Sequence, residues 1–230
     1  MRLDKYITQV SELSRSQVKK ALKAELITLN GEIVKDPALH ISPEDLVELD
    51  GEALSQPGPR YFMLNKPQGY ICATNDGEHP TVLDLLDEIN KDKLQIAGRL
   101  DIDTTGLVLI TDDGQWNHKV TSPRHHCPKT YYACLAHDLA ENAEDKLAEG
   151  LMLDGETKRT KPATLERLFT NEVKLTISEG KYHQVKRMFA ALGNRVTELH
   201  RESVGGIVLD EDLEPSEYRP LTDTEINSIQ

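Results

Sequence analysis

The chain is poor in cysteine, in aromatic residues and in long apolar runs. Its three cysteines, Cys72, Cys127 and Cys134 among 230 residues, are an odd and sparse set. They exclude a disulfide framework and read as reduced thiols of a cytoplasmic protein. No apolar run approaches the length of a bilayer span, and Met1-Arg2-Leu3-Asp4-Lys5 lacks the apolar core of a secretory signal. No membrane partner is expected. There is no phosphate-cradling glycine loop and no dinucleotide fingerprint. No serine sits in a nucleophile elbow. His125-His126-Cys127 has adjacent ligand types without a spaced second pair, which is not zinc spacing, so no metal site is expected.

The apolar fraction is 38% and the charged fraction 29%, which suits a globular protein with an ordinary core. The formal net charge of −12 argues against a nucleic-acid partner when taken alone, but the charges are unevenly placed. Arg2, Lys5, Arg15, Lys19, Lys20 and Lys23 face only Asp4 and Glu12 near the N-terminus. Between Asp113 and Asp138 there is no acid, yet Lys119, Arg124 and Lys129 occur there. Lys181, Lys186, Arg187, Arg195 and Arg201 meet Glu198 alone. The acids gather in 141–149 and 210–217. Distribution outweighs the sum here, and a polarised molecule with basic faces toward a partner is expected.

Residues 1–55 read as a small module. A short helix is expected over 2–10. Ser14-Arg15-Ser16-Gln17 is a capping-box pattern that starts a second one. In that second helix Val18, Ala21 and Leu22 share one face, and Arg15, Lys19, Lys20 and Lys23 form a basic front. Two β-prone runs around Asn30-Gly31 read as a hairpin, with a closing strand at 46–49. A proline- and glycine-containing stretch over 56–60 reads as a linker. Beyond it, strands are expected at 61–66, 94–97, 107–111, 129–136, 163–169, 173–178 and 195–201. Helices are expected at 81–89, 139–149 and 182–192, and a short terminal one at the Thr222-Asp223-Thr224-Glu225 capping box. Adjacent hairpins with few helices favour an α+β fold: a small α/β module followed, over 61–230, by a larger domain with a mixed, mainly antiparallel sheet flanked by helices.

The chemistry concentrates in Gly98-Arg99-Leu100-Asp101-Ile102-Asp103-Thr104-Thr105-Gly106. One acid, Asp101, stands in a glycine-bounded loop between two apolar runs that anchor it as strands. A carboxylate beside Arg99 on a rigid loop is placed to stay ionised, as a nucleophile or base at a sugar carbon requires. A loop aspartate bonding its own backbone is the plainer alternative. Lys129-Thr130-Tyr131-Tyr132 brings rings that can stack on a base or fill a core. Gly180-Lys181-Tyr182-His183-Gln184-Val185-Lys186-Arg187-Met188 brings cations to a helix start, either an anion site or a solvated basic face.

These stretches resemble a known family. The Asp101 loop resembles the catalytic motif of pseudouridine synthases. Residues 61–69 resemble the opening strand of their catalytic domain, residues 179–188 their late basic motif, and the N-terminal module an S4 RNA-binding domain. Together they resemble the RsuA subgroup, which modifies one uridine in small-subunit (16S) ribosomal RNA. The resemblance implies an isomerase that needs no cofactor, with 16S ribosomal RNA or a partly assembled small subunit as partner and a monomer as the default state. It implies Asp101 at the ribose, by adduct or by glycal. It implies Tyr131 (or its neighbour Tyr132) at the base, and Lys186 or Arg187 paired with Asp101. Arg15, Lys19, Lys20, Lys23, Arg99, Arg124 and Arg187 become the candidate RNA contacts. A non-catalytic RNA-binding ribosome-assembly factor is the competing reading. A nucleoside glycosidase is a third, though it ordinarily wants a second paired carboxylate.

Overall fold

A computed structural model describes residues 1–42, 44–54 and 58–229. The chain divides into two compact units, Met1–Pro59 with Asp87–Lys91, and Arg60–Leu86 with Asp92–Gln230. The expected linker over 56–60 lies partly outside the described residues, at 56–57. Arg60, expected within it, belongs to the second unit: its amide and guanidinium both bond the Asp112 carboxylate.

In the first unit, helices α1 (Leu3–Val10) and α2 (Arg15–Lys23) precede strands β1 (Ile27–Leu29), β2 (Glu32–Ile33), β3 (Val47–Leu49) and β4 (Glu52–Leu54). The strands form one antiparallel sheet in the order β2-β1-β3-β4. The capping box at Ser14 is reciprocal: the Gln17 amide donates to Ser14 Oγ at 3.4 Å, and the Ser14 amide donates to Gln17 Oε1 at 2.8 Å. The β1–β2 turn places Asn30 (φ 52°) and Gly31 (φ 84°) in the left-handed region, as a two-residue primed turn requires. Leu3, Ile7, Val18, Leu22, Ile27 and Val47 are fully buried or nearly so. Burial of each such side chain contributes roughly 1.5–3 kcal/mol.

The second unit contains β5 (Tyr61–Lys66), β6 (Gln95–Ala97), β7 (Thr105–Thr111), α3 (Gly114–Thr121), β8 (Lys129–Leu135), α4 (Ala143–Glu149), β9 (Thr164–Arg167), β10 (Glu172–Ile177), α5 (Gln184–Ala191), β11 (Val196–Val204), β12 (Ile207–Val208), β13 (Tyr218–Pro220) and α6 (Asp223–Asn227). The sheet runs β13-β5-β7-β11-β8-β10-β9, with β6 also on β7 and β12 on β11. Among the strands of the described residues only the β7–β11 pairing is parallel. Strand β7 is apolar without alternation because both its faces are covered. Val108 and Ile110 join Phe62 and Leu64 in one core, while Leu107 and Leu109 join Met63 and Trp116 in another.

The helix expected over 81–89 is a correction. Only one 3₁₀ turn forms, Val82–Leu85, capped by Thr81 and Asp84, and Leu86 is extended (ψ 134°). Asp87 and Glu88 would have added negative charge at the already negative C-terminal end of a longer helix. The helix expected from 139 begins at Ala143 instead. Helix α3 lies outside the expected elements. It starts because Asp113 Oδ1 accepts from the amides of Gln115 and Trp116.

Candidate active site

Asp101 lies on the loop of residues 98–104 that joins the antiparallel strands β6 and β7. Two buried cations hold that loop from beneath. Arg201 of β11, 1% exposed, donates from Nη2 to the Gly98 carbonyl at 2.7 Å and from Nε to the Leu107 carbonyl at 2.7 Å. Lys66, at the end of β5 and fully buried, donates from Nζ to the carbonyls of Thr104 (2.8 Å) and Pro67 (3.0 Å), and more weakly to Ile102 (3.4 Å). Burial pushes the Lys66 pKa down. Carbonyl oxygens on each side of Asp101 are thereby engaged by positive groups, which fixes the backbone that aims the carboxylate. Gly106, at φ +102°, lets β7 approach β11: a side chain there would run into the backbone of Arg201.

Above the loop, the Asp101 carboxylate meets two groups from the segment that opens α5. Lys186 Nζ is 3.3 Å from Oδ2 and His183 Nε2 is 3.3 Å from Oδ1. The Asp101 side chain is 29% exposed, so it is accessible from outside. Lys186 also reaches Asp103 Oδ1 at 2.6 Å. Burial alone would lower the Lys186 pKa, but the hydrogen bond to Asp103 and the charges of Asp101 and Asp103 outweigh it and raise it. The same hydrogen bond holds the Asp103 carboxyl below the usual carboxylate range. Arg187, the other candidate partner of Asp101, turns away. Its guanidinium meets Glu156 Oε1 at 3.2 Å, the Tyr182 carbonyl at 3.0 Å and the Asp154 carbonyl.

Strand alternation separates the two tyrosines of β8. Tyr131 is buried in the same core as Val108 and Leu175, with the Arg201 guanidinium 6.0 Å from its ring centroid. Arg201 therefore bonds the Asp101 loop and lies over the Tyr131 ring at cation–π distance. Tyr132 projects from the opposite face, where its hydroxyl donates to Glu172 Oε2 at 2.6 Å. Arg99 and Arg124 are exposed, as are Arg15, Lys19, Lys20 and Lys23 along α2. None of the four α2 cations has an ion-pair partner among the described residues. The histidines near Arg124 diverge: His125 packs edge-on against His118, His126 meets Lys161, and Cys127 is buried. No cluster of three or more His, Cys, Asp or Glu side chains among the described residues is arranged to hold a metal ion.

Sequence reasoning singles out Asp101, Lys186 and Tyr131 but misses His183, Arg201 and Lys66. His183 lies within a motif rich in cations, yet its left-handed backbone (φ 45°), which brings the ring to Asp101, is uncommon outside glycine and is marked by no turn pattern in the sequence around it. Of the five cations of residues 181–201, Arg195 is exposed, and the other four are engaged within the fold. Lys181 is bonded to Glu156, Lys186 to two aspartates, and Arg201 to main-chain carbonyls.

Comparison with known proteins agrees with this geometry. Residues 60–191 match the family model described as RNA pseudouridylate synthase, and residues 1–47 match the S4 domain. The chain is 59% identical to ribosomal small subunit pseudouridine synthase A of Yersinia pestis, over all of this chain and 98% of that one. It is 57% identical to the protein of that name from Escherichia coli K12, over the full length of both. A solved structure described as a pseudouridylate synthase superposes with a TM-score of 0.73 at 53% identity, covering both chains completely. An α+β fold with the Asp101 loop clamped between strands, and relatives this close over the whole length, lead to one conclusion: the chain belongs to the RNA pseudouridylate synthase family.

Proposed function

We propose that this chain isomerises a uridine of small-subunit (16S) ribosomal RNA to pseudouridine, with Asp101 acting at the ribose. The observation that carries the reading is the Asp101 carboxylate, accessible yet held between Lys186 and His183 on a loop that Arg201 and Lys66 fix. The reaction conserves atoms. The N1–C1′ bond breaks, the base turns, a C5–C1′ bond forms, the proton at C5 leaves and N1 regains one. Asp101 serves the sugar, either by adding to C1′ or by removing a ribose proton; both routes use the same carboxylate and the same two partners. Lys186 and His183 orient it, and Tyr131 lies against the base and assists proton removal at C5. The target nucleotide must leave its stack to arrive there. The names of the close relatives support a small-subunit RNA substrate, free or within a partly assembled subunit. The S4 match supports RNA contact by the first unit, through Arg15, Lys19, Lys20 and Lys23, while Arg99 and Arg124 take phosphates in the second.

The test is Asp101→Asn, which removes charge and little volume. Pseudouridine formation on a 16S transcript or isolated subunits is expected to fall at least about a thousandfold, while RNA binding persists. A wild-type protein that makes no pseudouridine on either substrate would overturn the reading and favour the non-catalytic assembly factor.

A further inference from the structure

Tyr182 is 72% exposed, an unusual position for a ring of that size that no core absorbs. Its ring lies flat on His183, with centroids 3.7 Å apart and planes 22° from parallel. His183 in turn places Nε2 3.3 Å from Asp101 Oδ1. One face of the tyrosine is therefore covered, the other is open, and the pair stands directly beside the carboxylate. The backbone beneath is pinned: the Tyr182 carbonyl accepts from Arg187 at 3.0 Å, the Lys181 amide donates to Gln184 Oε1 at 2.8 Å, and Lys181 and Arg187 share Glu156. We propose that Tyr182, backed by His183, is a stacking platform for an unpaired nucleobase flanking the uridine at Asp101; the proposal rests on the reading of Asp101 above.

A strand that delivers one flipped nucleotide to Asp101 brings its neighbour to the adjoining surface, and unpaired bases are held by aromatic faces. A ring already ordered by stacking loses little further freedom when a base arrives. The platform accepts any base, because each has a π-face. It supplies affinity and register and leaves the identity of the neighbour to other contacts.

Kinetics and binding with a 16S RNA transcript test this on the full-length chain. Tyr182→Ala is expected to raise KM about tenfold with a much smaller change in kcat, and Tyr182→Phe to recover the wild-type KM. Direct binding, read in the Asp101→Asn background, should weaken by the same factor on Tyr182→Ala. If the wild type makes no pseudouridine on the transcript or on isolated small subunits but Tyr182→Ala still weakens binding, the platform stands and the catalytic reading falls. If the wild type is active and Tyr182→Ala binds and turns over as the wild type does, the platform falls, the catalytic reading stands, and the ring is left to a protein contact.

Discussion

The cations of α2 and those around the Asp101 loop are the same residue types in opposite circumstances. Arg15, Lys19, Lys20 and Lys23 are exposed along a helix whose other face is Val18, Ala21 and Leu22. Lys66 and Arg201 are buried, and every donor bond they make ends on a carbonyl oxygen. The first set is available to phosphate; the second is part of the scaffold. Net charge hides this division. An acidic protein can present an exposed basic helix and still use internal cations to shape the Asp101 loop, because the two placements draw on different physics: long-range, salt-screened attraction in one, short-range satisfaction of buried polar groups in the other.

The largest effect is expected where a buried cation is removed. Arg201→Met keeps length and apolar bulk but leaves the Gly98 and Leu107 carbonyls without their donor, at a cost of about 1–3 kcal/mol each. Arg15→Ala, on an exposed face, should stay within about 0.5 kcal/mol. Thermal melts of the two variants read the contrast directly. Roughly 2–4 °C of Tm are lost per kcal/mol in a chain of this size, so Arg201→Met should melt several degrees lower. Equal melting temperatures would break the comparison.

That contrast also marks what can be read in advance. The Asp101 loop is legible because two apolar runs frame a polar, glycine-bounded stretch. Helix α2 is legible because the Ser14–Gln17 cap and the Val18, Ala21, Leu22 stripe agree. Arg201 is not, since an arginine at a strand end looks like any solvated cation until its strand is seen to run parallel to β7 at Gly106. Helix α3 escapes because its buried side chains are only Trp116 and Val120, too few for a periodic stripe. The stretch at 81–89 misleads for the converse reason: a sound cap and apolar residues at helical spacing meet a chain that leaves the helix after one turn. Local signals locate elements. They do not reveal which charged group a distant strand will bury.

An intermediate effect is expected from neutralising the exposed set. Changing Arg15, Lys19, Lys20 and Lys23 together to Gln should weaken RNA binding. It should also flatten the slope of log K against log salt, by about 0.7 for each phosphate of single-stranded RNA that no longer meets a cation. Thermal stability should barely move. Titrations at a series of salt concentrations decide it. An unchanged slope would show that the phosphates are met elsewhere, and the exposed basic front would then be only a solvated face.

The smallest effect is a pH dependence confined to the scaffold. His200, on β11 next to Arg201, shares a 2.8 Å hydrogen bond between Nδ1 and Thr105 Oγ1, at the point where the Asp101 loop enters β7. Burial pushes its pKa below the ordinary 6.5, with Glu202 opposing in part. Below that value the unfolded chain takes up a proton that the folded chain refuses. The contribution of His200 to stability is thus fully present above about pH 6.5 and is lost as pH falls toward the depressed folded value, with a slope of at most about 1.4 kcal/mol per pH unit. Helix α2 carries no histidine, so this loss belongs to the loop-bearing sheet. Urea midpoints measured between pH 7.5 and 5 should fall less steeply for His200→Gln than for the wild type. Parallel curves would mean that the imidazole is not held neutral in the fold, and that the sheet beneath the Asp101 loop tolerates charge as readily as the exposed helix does.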